Sequence, residues 1–282
     1  MYNERRKNKM KKIMVLFTML MIIMSTSVFA SSSQSKGDVN WENSTIEGVG
    51  VGVAPPTALN PGHAKALARR AAIVNAYRAL AETAQGVTID GETTVENLMV
   101  TNEVTKTKIS AVVKGAEIIK EDYDGNGMYT VTMRVKLYGV SNSIASAVMP
   151  QTNVIEPLPT PNTNTSTPTR LNASGAYTGV VIDCRGLNLS PAMSPVIKNA
   201  SGQPIYGYKN LDYDYVVSNG MAGYSKDINT HPRAGANPLI VKAIGVDNHN
   251  TYPIVSDEDA NKILVENSAT GFLNRCAVVF VR

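Results

Sequence analysis

Five groups of residues in this chain have the types and spacing to do chemistry. Gly48, Gly50 and Gly52 in GVGVGVAPP stand before a long helical pattern, as a phosphate-cradling turn would. Asp122, Asp124 and Asn126 in DYDGNG imitate the opening of a calcium loop. Asp247 and His249 in DNH could hold a metal ion or move a proton. Cys184 and Cys276 are the only cysteines. Tyr206, Tyr208, Tyr213 and Tyr215, with Tyr224 close behind, could stack on sugar rings or form a protein-docking patch, as tyrosine is favoured at interfaces.

The phosphate reading needs a turn directly between strand and helix, with the helix N-terminus aimed at the anion. Here eight residues separate Gly52 from Pro61, and no acidic residue follows at the spacing of a ribose partner. Strand geometry offers another role, because alternate residues share a face and put the three glycines on one side. Ala64, Ala68, Ala72 and Ala76 recur every four residues, a ridge of small side chains on one helical face. The pattern predicts a bare strand face against an alanine ridge, with no nucleotide between them. The calcium reading fails at its twelfth position, where Met133 stands instead of a bidentate glutamate, so DYDGNG predicts a hairpin turn. Asp247 and His249 lack a third partner at a recognisable spacing, and His63 opens a helix. No G-x-S-x-G or H-E-x-x-H pattern occurs, so no catalytic, cofactor or metal residue is assigned and the protein is expected not to be an enzyme. In an oxidising compartment Cys184 and Cys276 could close a loop of about 90 residues, worth ~4 kcal/mol on the chain-entropy view. The alternative is two separately buried thiols.

The elements that would carry these groups are partly legible. Trp41–Val53 reads as a strand. Asn60 and Pro61 mark a capped helix start, and the helix runs to about Gln85 before Gly86. Ile118–Tyr123 and Met128–Tyr138 form a strand pair, while residues 86–115 mix an extended stretch with a short helix over Leu98–Val113. In the second half, Tyr177–Cys184, Pro238–Val246 and Cys276–Arg282 are strand candidates, and a hairpin surrounds Asn199–Gly202. Ser256 opens a helix reaching about Glu266, with acids where the helix dipole favours them.

The N-terminus reads as an address. Six basic residues precede an apolar run over Ile13–Met24, and Val28-Phe29-Ala30 offers a cleavage site. The whole chain has 27 Lys+Arg against 23 Asp+Glu; without residues 1–30 the balance is 21 to 22. A near-neutral mature chain with no basic run argues against nucleic-acid binding. The expected organisation is a signal peptide over 1–30, a domain over 38–147, a flexible linker over 148–175 and a second domain over 176–282. The linker follows from five prolines among threonines and asparagines. The fold class is α+β: two small domains, each a mainly antiparallel sheet packed with one or two helices.

The first half resembles a known group in its order of motifs. A glycine-rich strand, the helix AKALARRAAIVNAYRALAE, and VKGAEIIKEDYDGNGMYTVTMRVKLYG are similar to the Lpp-twenty lipoprotein family and the N-terminal domain of flagellar assembly protein T. The likeness covers roughly Glu47–Gly139 and brings no catalytic residues. It implies a helix-on-sheet domain of the bacterial envelope, tied in some members to flagellar or surface assembly. The chain departs by having no cysteine to lipidate after its leader, so a protein without a lipid anchor is expected, in the periplasm or at the cell surface. VVIDCRGLNLSPAMSPVI in the second half is similar to a domain found behind such modules in other exported bacterial proteins. The expected role is a non-enzymatic assembly or scaffold component, whose partners are other envelope proteins or further copies of itself. The alternative is a module that binds cell-wall glycan through its tyrosines.

Overall fold

A nine-residue strand and a 25-residue helix organise the first half, and both follow from local sequence. The structure, a computed structural model, describes residues 35–152, 154–161, 172–229 and 232–282; the leader predicted over 1–30 lies outside them. Strand β1 (Lys36–Asn40) turns through Trp41 into β2 (Thr45–Val53), followed by helices α1 (Pro61–Gln85), α2 (Val95–Thr101) and α3 (Glu103–Lys114). Strands β3 (Glu117–Tyr123) and β4 (Met128–Lys136) and helix α4 (Ile144–Val148) complete this half. The sheet order is β1-β2-β4-β3, antiparallel throughout. Asn60 caps α1 by accepting the His63 N–H at 2.8 Å, and Pro61 needs no donor partner in the first turn.

Helix α1 lies along the sheet's buried face, where Ala68, Ala72, Ala76 and Leu80 are fully covered. The glycine row is the reason it can lie so close. A Cβ added at Gly48 would fall 2.7 Å from Leu80 Cγ and 2.8 Å from the Ala76 carbonyl oxygen. Cβ atoms on Gly50 and Gly52 would strike the helix backbone itself, at Ala72 and Ala76 and at Ala68 and Ala72. Gly37 on β1 continues the row, with Ala79 O 2.8 Å from where its Cβ would stand. Asn75 adds a tie across the contact by donating to Val51 O at 2.7 Å. The glycines are therefore a packing seat, and helix backbone fills the space a phosphate would need. DYDGNG is likewise a turn: the Asp124 carboxylate accepts from Asn126 N–H at 2.8 Å and Met128 N–H at 2.9 Å, closing the β3–β4 hairpin.

The second half contains β5 (Gly179–Asp183), β6 (Ile197–Lys198), β7 (Pro204–Tyr206), α5 (Tyr213–Asn219) and β8 (Gly223–Ser225). It continues through β9 (Pro238–Lys242), β10 (Gly245–Asp247), β11 (Tyr252–Ile254), α6 (Asp257–Thr270) and β12 (Val278–Val281). A small sheet in the order β10-β11-β6-β7 is antiparallel except between β11 and β6. The larger sheet, β8-β12-β5-β9, is parallel at every pairing. The α+β class holds, while this one sheet departs from the antiparallel pattern expected for both halves. Its strands explain why: VVFV of β12 is buried at every residue, and GVVID of β5 at all but Asp183. Continuous burial on both faces is the mark of a parallel sheet.

The halves do not sit apart on a loose tether. Residues 35–282 form one compact unit, and one apolar core runs through both halves. Backbone bonds cross the seam from Met193 N to Thr88 O (3.0 Å), Ser194 N to Ile89 O (2.6 Å) and Gly139 N to Val217 O (2.8 Å). Tyr138 of the first half is buried against Gly220, where a Cβ would come 2.7 Å from the ring.

The segment expected to be a flexible linker is fastened on both described flanks. Glu156 N donates to Lys209 O at 2.8 Å, and Asn210 donates to the carbonyls of Glu156 (3.3 Å) and Pro157 (3.1 Å). At the other end the buried Glu266 carboxylate accepts from Ser174 N, Ser174 Oγ and Gly175 N at 3.0–3.3 Å. Composition signalled exposure, but backbone carbonyls and N–H groups need no apolar side chain to be gripped. Residues 162–171 of the predicted linker lie outside the described ones.

Candidate functional site

The four tyrosines expected to share a sheet face do not. Tyr206, on β7, is fully buried, and its hydroxyl donates to Met221 O at 2.7 Å. Tyr208 sits in a short 3-10 turn, with its hydroxyl bonded to the Pro150 carbonyl oxygen. Tyr213 and Tyr215 are in helix α5, where Asp212 caps the first turn by accepting the Tyr215 N–H at 2.8 Å. The spacing of two came from a capped helix start, and the Asp212 and Gly220 signals at its ends were the clue. Tyr224 is buried too, its hydroxyl bonded to both the N–H and the carbonyl of Ala192.

The cysteines are separate thiols. Val180 pairs with Val278 and Asp183 with Val281, so Cys184 and Cys276 lie at opposite ends of the β5–β12 pair. The four paired positions between them span about 10 Å of strand, beyond disulfide reach. Both are buried and free, and burial pushes the Cys184 thiol up to about 12 and raises that of Cys276 as well. Asp247 does not join His249 in a site: it pairs with Lys198 at 2.6 Å, while His249 is exposed in a left-handed turn. Among the described residues no group of three or more His, Cys, Asp or Glu is placed to hold a metal ion.

What the structure does assemble is a groove along the seam. One part, about 440 Å³, is mostly apolar and takes Ile89 and Pro150 from the first half and Val196, Tyr208 and Tyr252 from the second. It runs into a polar part of about 510 Å³ that includes Asp90, Lys198 and Asp247. The Lys198 ammonium lies 5.4 Å from the centre of the Tyr252 ring and is held there by Asp247. The wall beside it is strained, since Asn248, His249 and Asn250 all have positive φ and Asn248 packs on Gly91, which has no Cβ to obstruct it. Partial burial pushes the Tyr208 hydroxyl up to about 12, which keeps it a neutral donor. Of the predicted tyrosines only Tyr208 reaches the groove. Tyr252 was missed because the groove residues it meets, Ile89, Pro150, Val196, Lys198 and Tyr208, lie more than 40 residues before it.

A second concavity, about 280 Å³, opens at the carboxyl edge of the parallel sheet, between the β1–β2 turn and the ends of β8 and β12. Trp41 stands in it, edge-on to Tyr224 at 5.5 Å, and Tyr224 in turn packs on Phe280 at 5.6 Å. This aromatic row fixes the first half's turn onto the second half's sheet.

Two family models account for most of the described chain. Residues 49–136 match the model of the LPP20 lipoprotein family, and residues 179–282 match that of the second domain of Treponema pallidum Tp0624. No match to a curated protein was found. The first match agrees with the Lpp-twenty resemblance of GVGVGV and its alanine helix, and one range falls within each half. It marks an envelope-associated protein. A lipoprotein family lends no support to the expectation of an unanchored chain. No helix among the described residues is long and apolar enough to cross a membrane.

Proposed function

We propose that the protein is a non-enzymatic component of a cell-envelope assembly, a scaffold that engages its partner along the seam groove. The observation that supports this reading is the joint construction of that groove. Both halves contribute walls, and direct backbone bonds at Thr88 and Ile89 hold those walls in fixed register. Sites at the junction of two regions are favoured for recognition, and a rigid junction avoids the ordering cost of binding. Flagellar or other surface assembly is the specific setting suggested by the family resemblance of the first half.

Comparative co-purification tests the proposal. The native protein and a Tyr208→Ala/Tyr252→Ala variant would be crosslinked in cells and isolated with their neighbours. A defined set of envelope proteins should accompany the native chain and be depleted with the variant. An identical set for both would remove the groove from the account. The glycan reading is favoured by one feature, the presence of two tyrosine rings in the same groove. Sedimentation with purified cell-wall material separates the two readings, because a protein scaffold stays in the supernatant.

A further inference from the structure

The concavity beside Trp41 is divided by charge. Lys226 and Arg282 follow directly on β8 and β12 and supply its cations from the second half. Asp38 on β1 and Glu42 in the turn after it supply its anions from the first half. Opposite charges sharing so small a space would ordinarily collapse onto one another. Among the described residues, none of these four side chains has a hydrogen-bond or ion-pair partner.

The backbone explains the separation. The cations are carried by the ends of a parallel sheet, and the anions by β1 and by the turn after it, which is held through Trp41, Tyr224 and Phe280. Tyr224 cannot shift to let them meet, because both the N–H and the carbonyl of Ala192 hold its hydroxyl. The outcome is a cleft lined by two cations, two anions and an indole, at the edge where open parallel sheets take their ligands. At about 280 Å³ the space is just below the size of drug-like sites and suits a ligand of amino-acid size.

We propose that this cleft binds a small zwitterion, an α-amino acid with an apolar side chain. The carboxylate faces Lys226 and Arg282, the ammonium faces Asp38 and Glu42, and the side chain lies against Trp41. A ligand bearing one charge leaves the opposing pair unanswered and adds repulsion from the pair of like sign, so both charges are required.

The protein carries its own reporter, since Trp41 is the sole tryptophan. Trp41 emission would be followed while the purified full-length protein is titrated with leucine, with leucinamide (cation only) and with N-acetylleucine (anion only). Leucine should give a saturable change at millimolar or lower concentration, and each single-charge analogue should bind at least tenfold more weakly. Arg282→Gln and Lys226→Gln should each weaken leucine binding at least threefold, and Asp38→Asn likewise. All three positions are exposed, so thermal unfolding should be unchanged. The absence of a saturable signal with leucine, equal binding of N-acetylleucine, or indifference to all three substitutions would overturn the assignment.

Discussion

The two halves reach a packed interior by opposite means. In the first, strand β2 gives up its side chains over Gly48, Gly50 and Gly52 so that helix α1 can rest on bare backbone. In the second, β5 and β12 fill the interior with Val180, Val181, Ile182, Val278, Val279 and Phe280, all buried. The first contact is limited by how little there is between its partners, the second by how much. A methyl group should therefore be dangerous when added to one half and when removed from the other.

The largest effect belongs to removal. Phe280→Ala takes a fully buried ring from beneath Tyr224 and should cost about 3–5 kcal/mol in denaturant unfolding. Addition comes next: Ala72→Leu drives a branched side chain into the Gly50–Gly52 seat and should cost ~1–3 kcal/mol by the same measurement. If Ala72→Leu were neutral and Phe280→Ala severe, the contrast would shrink to an ordinary core in one half alone.

A smaller effect comes from charge at the rim of the first half. Arg69 on α1 donates to Glu121 on β3 through Nε at 2.9 Å and Nη2 at 2.6 Å, and Tyr129 donates to the same carboxylate at 2.6 Å. The Arg69 hydrogen bond first, and then that of Tyr129, hold Glu121 down at about 2. A carboxyl whose folded value lies below its unfolded value of about 4.3 contributes stability above that pH and loses it as the pH falls toward the folded value. The difference in melting temperature between the native protein and Glu121→Gln should thus be present at neutral pH. It should shrink between about pH 4.5 and 2, and a constant difference would show that the fork carries no weight. The smallest effect is none at all: a reductant should leave the melting temperature unchanged, because Cys184 and Cys276 are not joined.

The same contrast governs how far the sequence could be read. Asn60-Pro61, the alanine ridge and DYDGNG are local signals with local causes, and α1, its seat and the β3–β4 hairpin appear where those residues place them. The parallel sheet was hidden because VVID and VVFV are short apolar runs that carry no record of which strand lies beside them. Tyr213 and Tyr215 misled through their spacing, although Asp212 before them and Gly220 after them encode a helix. Residues 154–157 are exposed as their composition says, yet Glu156 and Pro157 are held by Lys209 and Asn210, and Leu158 packs on the core, contacts that composition does not record. The seam groove was beyond reach for a related reason. Ile89, Tyr208 and Tyr252 are far apart in the chain and meet only in the folded protein.

The most direct test of the account is the unfolding free energy of Gly50→Ala set beside that of Val51→Ala. The two positions are neighbours on β2 and face opposite sides of the sheet. The account predicts a loss at or above the roughly 3 kcal/mol upper range of overpacking for the single methyl at Gly50, and a clearly smaller change at Val51. A Gly50→Ala protein as stable as the native one would mean that helix and strand are not in backbone contact, and the glycine row would need another explanation.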